Sequence, residues 1–167
     1  MMAQQARALS DGGADAIVIE TMMDLREALA AVAGARKTGL AVIACMVFDA
    51  GRNKDRTMMG NSVEEMVGAL AYAGVDGIGA NCGQGPAGFL PICQRMRQLT
   101  KLPLWMKPNA GLPSMVDGVA TYVTGPEAFA AEAVKLVDAG ADFIGGCCGT
   151  TPEYIRALSL QIASKAG

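Results

Sequence analysis

The chain alternates short, nearly continuous apolar runs with longer stretches whose apolar positions recur every three or four residues. Three of the runs share one pattern: Gly13-Ala14-Asp15-Ala16-Ile17 leads to Glu20-Thr21, Gly74-Val75-Asp76-Gly77-Ile78 leads to Cys82, and Gly140-Ala141-Asp142-Phe143-Ile144 leads to Cys147-Cys148. Their aspartates lie 61 and 66 residues apart, room for two βα units each, since one such unit takes about 30 residues. Two further runs, Leu40–Val47 and Leu102–Met106, fall between the repeats. The pattern therefore predicts five strands alternating with helices.

The intervening stretches carry helix signals. Leu25/Leu29/Val32, Val63/Val67/Leu70 and Phe129/Ala133/Leu136/Val137 recur at helical spacing, and another helix is predicted over Ala3–Leu9. Ser62-x-x-Glu65, Thr124-x-x-Glu127 and Thr150-x-x-Glu153 have capping-box spacing, with Pro126 and Pro152 in the first turn, where a missing N–H costs little. Gly74 and Gly140 stand where helices should stop. Continuous apolar strands with no hairpin signal between them argue for a parallel sheet covered by helices, an α/β fold. The long connections, Asp49–Asn61 and Ala110–Val123, follow strands. Such loops at the carboxyl ends of parallel strands are where barrels and open sheets place their sites. Five strands fit either an open sheet or the carboxyl-terminal part of an eight-stranded barrel.

Composition narrows the function classes. The 167 residues are 51% hydrophobic and 18% charged, enough apolar content for the whole of 1–167 to form a single domain with a sizeable core. A net charge of −2 with the signs interspersed leaves no basic stripe for nucleic acid. The longest apolar run, Leu40–Phe48, is nine residues, far short of the roughly 20 that span a bilayer. Met1–Gly13 has no signal-peptide pattern, so a cytoplasmic location is expected. The absence of histidine removes Ser-His-Asp and Cys-His catalysis and every histidine-based metal site. Five cysteines, an odd number without an export signal, favour reduced thiols.

The chemistry concentrates in Gly145-Gly146-Cys147-Cys148-Gly149-Thr150. Adjacent cysteines pair with each other only in strained geometry, whereas two thiolates plus a third from elsewhere suit tetrahedral zinc with one position open. Cys82 and Cys148 each fall six residues after the aspartate of their repeat, so the three sulfurs are expected at one rim. Glu20 and Lys107-Pro108-Asn109-Ala110-Gly111 end two other strands there. Plainer readings stand beside these. Cys45 and Cys93 read as small buried hydrophobes. The glycine turn could instead cradle a phosphate at a helix start, Glu20 suits a strand-end ion pair, and Asn109 suits a turn residue bonding backbone.

Gly79-Ala80-Asn81-Cys82, the run from Gly145 to Pro152, and Ile19-Glu20-Thr21 resemble the homocysteine S-methyltransferase family of zinc-dependent barrels. Lys107 to Pro113 and Asn81 to Pro86 look closest to the homocysteine-binding module of the cobalamin-dependent methionine synthases. The resemblance implies a partial (β/α) TIM-type barrel, the five strands corresponding to strands 4–8 and the first three being absent. It implies an enzyme that transfers a methyl group to the thiol of homocysteine, forming methionine, with zinc on Cys82, Cys147 and Cys148. By the same resemblance Asn109 would be a replaceable fourth ligand and Glu20 would hold the substrate ammonium. The methyl donor, methylcobalamin fed by methyltetrahydrofolate, would sit on separate corrinoid- and folate-binding modules. A non-catalytic zinc-binding remnant or subunit, or a methyltransferase for another thiol, is the alternative. The missing strands predict self-association or a complementing barrel fragment.

Overall fold

The computed structural model describes every residue except Asp117, Val123 and Gly167. In chain order the elements are α1 (Met2–Asp11), β1 (Ala16–Met22), α2 (Leu25–Ala35), a short 3-10 turn (Arg36–Thr38), β2 (Ala41–Met46), α3 (Val63–Tyr72), β3 (Gly77–Asn81), α4 (Pro86–Leu99), β4 (Leu104–Lys107), β5 (Ser114–Val116), β6 (Val119–Thr121), α5 (Pro126–Ala133), α6 (Lys135–Asp138), β7 (Phe143–Ile144) and α7 (Pro152–Ala166). The five expected strands form one parallel sheet in the order β1-β2-β3-β4-β7.

That order decides the architecture. Each strand joins the sheet beside its predecessor and on the same side, so successive right-handed crossovers put the helices on one face. Side chains divide accordingly. Ile17, Ile19, Val42, Ala44, Ile78, Ala80, Leu104 and Met106 are buried in the main core with Ala28, Val32, Val63, Met66, Leu70, Phe89, Ile92 and Met96 from the helices. The alternate positions face the other way: Val18 and Phe143 are 38% and 49% exposed, and Ile43 and Trp105 are half-buried. Trp105 and Phe143 pair there with ring centroids 4.9 Å apart. A doubly wound sheet would cover both faces. Helices on one face, with apolar side chains on the other, describe a sector of a barrel.

The repeated aspartate has a local role. Asp76 exchanges two bonds with Val42, its Oδ2 accepting from Val42 N at 2.8 Å and its own N–H donating to Val42 O at 2.8 Å. Asp142 does the same with Leu104, at 2.8 and 3.1 Å. Each clamps the start of the preceding strand. Asp15, at the same place in the repeat, is exposed at the head of edge strand β1, and among the described residues it clamps no strand.

Three expectations need correction. The stretch after β4 contains a hairpin, β5 pairing antiparallel with β6. Asp117-Gly118 between them is a strong tight-turn pair that the reading of uninterrupted βα alternation overlooked; Asp117 itself lies outside the described residues. The capping box at Ser62 forms, Glu65 N to Ser62 Oγ at 3.2 Å and Ser62 N to Glu65 Oε2 at 2.7 Å. Those at Thr124 and Thr150 do not. Pro126 takes the first helical position of α5 with Gly125 as the extended N-cap, which leaves Thr124 outside. Thr150 instead closes the cysteine turn, its Oγ1 donating to Cys147 O at 2.7 Å, and α7 begins at Pro152.

Candidate metal centre

Cys82 follows β3 and Cys147-Cys148 follow β7, with β4 between them. Two strand spacings amount to about 9–10 Å, so the loops must curl inward over the end of β4 for their sulfurs to meet. The backbone leaving β4 is the template. Lys107 O accepts from Cys82 N at 3.1 Å, Pro108 O from Cys147 N at 2.9 Å, and Cys148 O from Ala110 N at 2.9 Å. Asn109 joins both sides: its N–H donates to Gln84 O at 2.9 Å, and its Oδ1 accepts from Cys148 N at 3.1 Å.

Two backbone conformations complete the convergence. Cys82 has φ +64°, a left-handed geometry that costs a non-glycine residue about 1–3 kcal/mol and concentrates at functional sites. Gly149 has φ +79°, and a Cβ there would collide with the Tyr122 ring. Only glycine lets the cysteine turn lie under Tyr122.

As a result the sulfurs of Cys82, Cys147 and Cys148 all lie within 4.8 Å of one another, with Cys82 Sγ and Cys148 Sγ 3.7 Å apart. A Zn–S distance of about 2.3 Å in a tetrahedron places sulfurs about 3.8 Å apart, so the donor set fits zinc. Among the described residues, these three cysteines are the whole of the metal-ligating group. The crowding shows in the thiols: hydrogen bonding with Cys82, then burial, then the charge of Cys147 push Cys148 up to about 11. Burial, then the charge of these sulfurs, also raises the Tyr122 phenol.

A profile of the family described as homocysteine S-methyltransferase matches residues 1–162. The chain belongs to the homocysteine S-methyltransferase family. It is 34% identical over 164 residues to a methionine synthase of Mycobacterium leprae and 33% identical over 168 to that of Mycobacterium tuberculosis; each alignment covers 96% of this chain and 14% of the relative. Among solved structures it is similar to the homocysteine methyltransferase MmuM from Escherichia coli. The apo form matches at TM-score 0.75 and 26% identity over 96% of this chain and 56% of that one. The metallated form matches at 0.75 and 27% over 94% and 48%. The chain thus spans a small part of its curated relatives and about half of the enzyme whose fold it shares.

The other candidates fall as follows. Glu20 sits on the open face of the sheet and pairs with Lys107 Nζ at 2.7 Å. Asn109 is buried, its Oδ1 turned to the Cys148 amide. Cys45 and Cys93 are fully buried; burial raises both thiols, that of Cys93 to about 11. Sequence reasoning did not single out Lys107, Tyr122 or Asn81 as site residues. Asn81 and Lys107 face each other across β3 and β4, and both stand inside the motifs that carried the resemblance. No helix among the described residues is long and apolar enough to cross a membrane.

Proposed function

We propose that this chain carries the thiol-activating zinc site of a methyltransferase that converts homocysteine to methionine. The observation that carries the reading is the convergence of three sulfurs from two loops at tetrahedral spacing, with no fourth cysteine or carboxylate in the group among the described residues. Bound there by Cys82, Cys147 and Cys148, zinc supplies Lewis acidity, lowering the pKa of an incoming thiol from about 8.5 so that it is a thiolate at neutral pH.

The chain's own residues do the rest. Glu20 binds the substrate ammonium, exchanging its partner Lys107 for it, and so fixes which end of the amino acid faces the sulfurs. Asn109, whose Oδ1 accepts from the Cys148 amide, would serve as a replaceable ligand when no thiol is present. In the transfer, a lone pair of the substrate sulfur forms the S–CH3 bond as the donor–methyl bond breaks, and the donor keeps that electron pair. The similarity to methionine synthases, of which the chain spans 14%, favours methylcobalamin, replenished from methyltetrahydrofolate, on corrinoid- and folate-binding modules. Residues 1–167 then form one domain, the carboxyl-terminal part of a barrel, corresponding to its strands 4–8. Free thiols at the site suit a reducing compartment such as the cytoplasm.

Calorimetry with homocysteine tests the reading. The zinc-loaded chain should bind it with release of one proton, and the chelator-stripped chain should not. Zinc uptake without thiol binding would leave a structural metal and sink the acceptor role.

A further inference from the structure

Asn81, the last residue of β3, is fully buried, and every polar atom of its side chain is engaged. Its Oδ1 accepts from Thr21 N at 2.7 Å, while its Nδ2 donates to Thr21 Oγ1 at 2.8 Å and to Cys147 Sγ at 3.7 Å. Both residues flanking this amide in space, Thr21 at φ +60° and Cys82 at φ +64°, hold left-handed backbone that neither residue type favours. A buried primary amide with two donors and one acceptor fits those three partners, so its orientation is fixed.

We propose that Asn81 is a positioning residue for the metal centre: its Nδ2–H bond aims and electronically damps the Cys147 sulfur, and its clasp on Thr21 ties that sulfur to the end of β1. Asn81 precedes one ligand, Cys82, in the chain and bonds another, Cys147, across the sheet, so one side chain sets the separation of two ligands from different loops. It also couples the metal to the strand that carries Glu20, because Thr21 follows Glu20 directly. An N–H donor on a thiolate withdraws charge from the sulfur, and outer-shell donors of this kind are worth about 10–100-fold in metal affinity. The proposal rests on the three cysteines being metal ligands.

Competition with a zinc chelator and cobalt(II) spectra of the substituted chain test it. Asn81→Ala removes all three bonds. Asn81→Asp keeps the shape and the acceptor for Thr21 N–H but loses the donor to sulfur, and so serves if the alanine variant fails to fold. Both should weaken metal binding by about 10–100-fold and move the sulfur-to-cobalt charge-transfer band to lower energy, because an undamped sulfur gives up its electron more readily. If Asn81 only braced β1, Asn81→Asp would leave the band in place, and an unmoved band with wild-type affinity in either folded variant overturns the proposal. Homocysteine calorimetry on the wild-type chain runs alongside; its failure would strike the proposed function and leave the role of Asn81 at the metal standing.

Discussion

The two ends of the sheet are built to different degrees of completion. At the β3–β4–β7 end Asp76 and Asp142 clamp their neighbours, and the loops above are stitched by the Lys107–Ala110 backbone into a site whose sulfurs meet over the end of β4, with one tie to β1 through Asn81 and Thr21. At the β1 end the same repeat offers Asp15 to solvent beside an open strand edge, and Val18 lies bare on the uncovered face. The metal-binding half is held mainly by its own loops, while the half that carries Glu20 leaves a strand edge open. Zinc binding and association should therefore separate by mutation.

The largest effect falls on the metal-binding end. Cys147→Ala or Cys148→Ala should take zinc from one per chain to none, measured by elemental analysis of the dialysed protein, because two thiolates leave the ion half-coordinated. Wild-type zinc content in either variant would break the ligand assignment. Metal removal sharpens the same point. After chelation a thiol reagent should modify Cys82, Cys147 and Cys148, whereas Cys45 and Cys93, fully buried, should react only on unfolding; rapid labelling of all five would mean the core is not packed as described.

The unfinished end is tested by association. Open edges and a bare apolar face predict that the isolated chain forms dimers or larger species in sedimentation. Val18→Lys places charge on that face, and since burying such a side chain is worth about 1.5–3 kcal/mol, it should weaken association by roughly tenfold or more. Zinc content should stay at one per chain. A wild-type chain that sediments as a monomer would contradict the account of the β1 end.

Between these extremes lies Gly149→Ala. It forces a Cβ into the Tyr122 ring at φ +79° and should cost about 1–3 kcal/mol, read as a lower melting temperature and weaker zinc binding together. Unchanged zinc affinity would show that the cysteine turn tolerates a shift and that Tyr122 does not set its position.

Much of this was legible in the sequence because it is periodic. Apolar runs announced the strands, and the equal distances from Asp76 to Cys82 and from Asp142 to Cys148 placed the sulfurs at one rim. What escaped lies in contacts that no spacing encodes. Asn81 reaches Cys147 across 66 positions, and Lys107 reaches Glu20 across 87; each pairing needs the register of the sheet, which follows only once the strand order is known. The hairpin after β4 escaped for a different reason. Its strands are three residues each, too short for alternation to stand out, although Asp117-Gly118 marked the turn. The two misplaced capping boxes show local pattern overruled by neighbours, Thr150 being drawn into the cysteine turn and Thr124 displaced by Pro126 at the helix start.

The one capping box that did form offers the smallest effect and the cleanest control. Ser62 and Glu65 satisfy each other's backbone at the start of α3, on the helical layer. Ser62→Ala leaves the Glu65 N–H without its acceptor in a half-buried setting, which should cost about 1 kcal/mol and lower the melting temperature by a few degrees. Because α3 packs through Val63, Met66, Val67 and Leu70, the helix itself should persist, with zinc content and sedimentation unchanged. If Ser62→Ala altered either one, the helical layer would be coupled to the metal centre or to the open edge, and the separation between the two ends of the sheet would not hold.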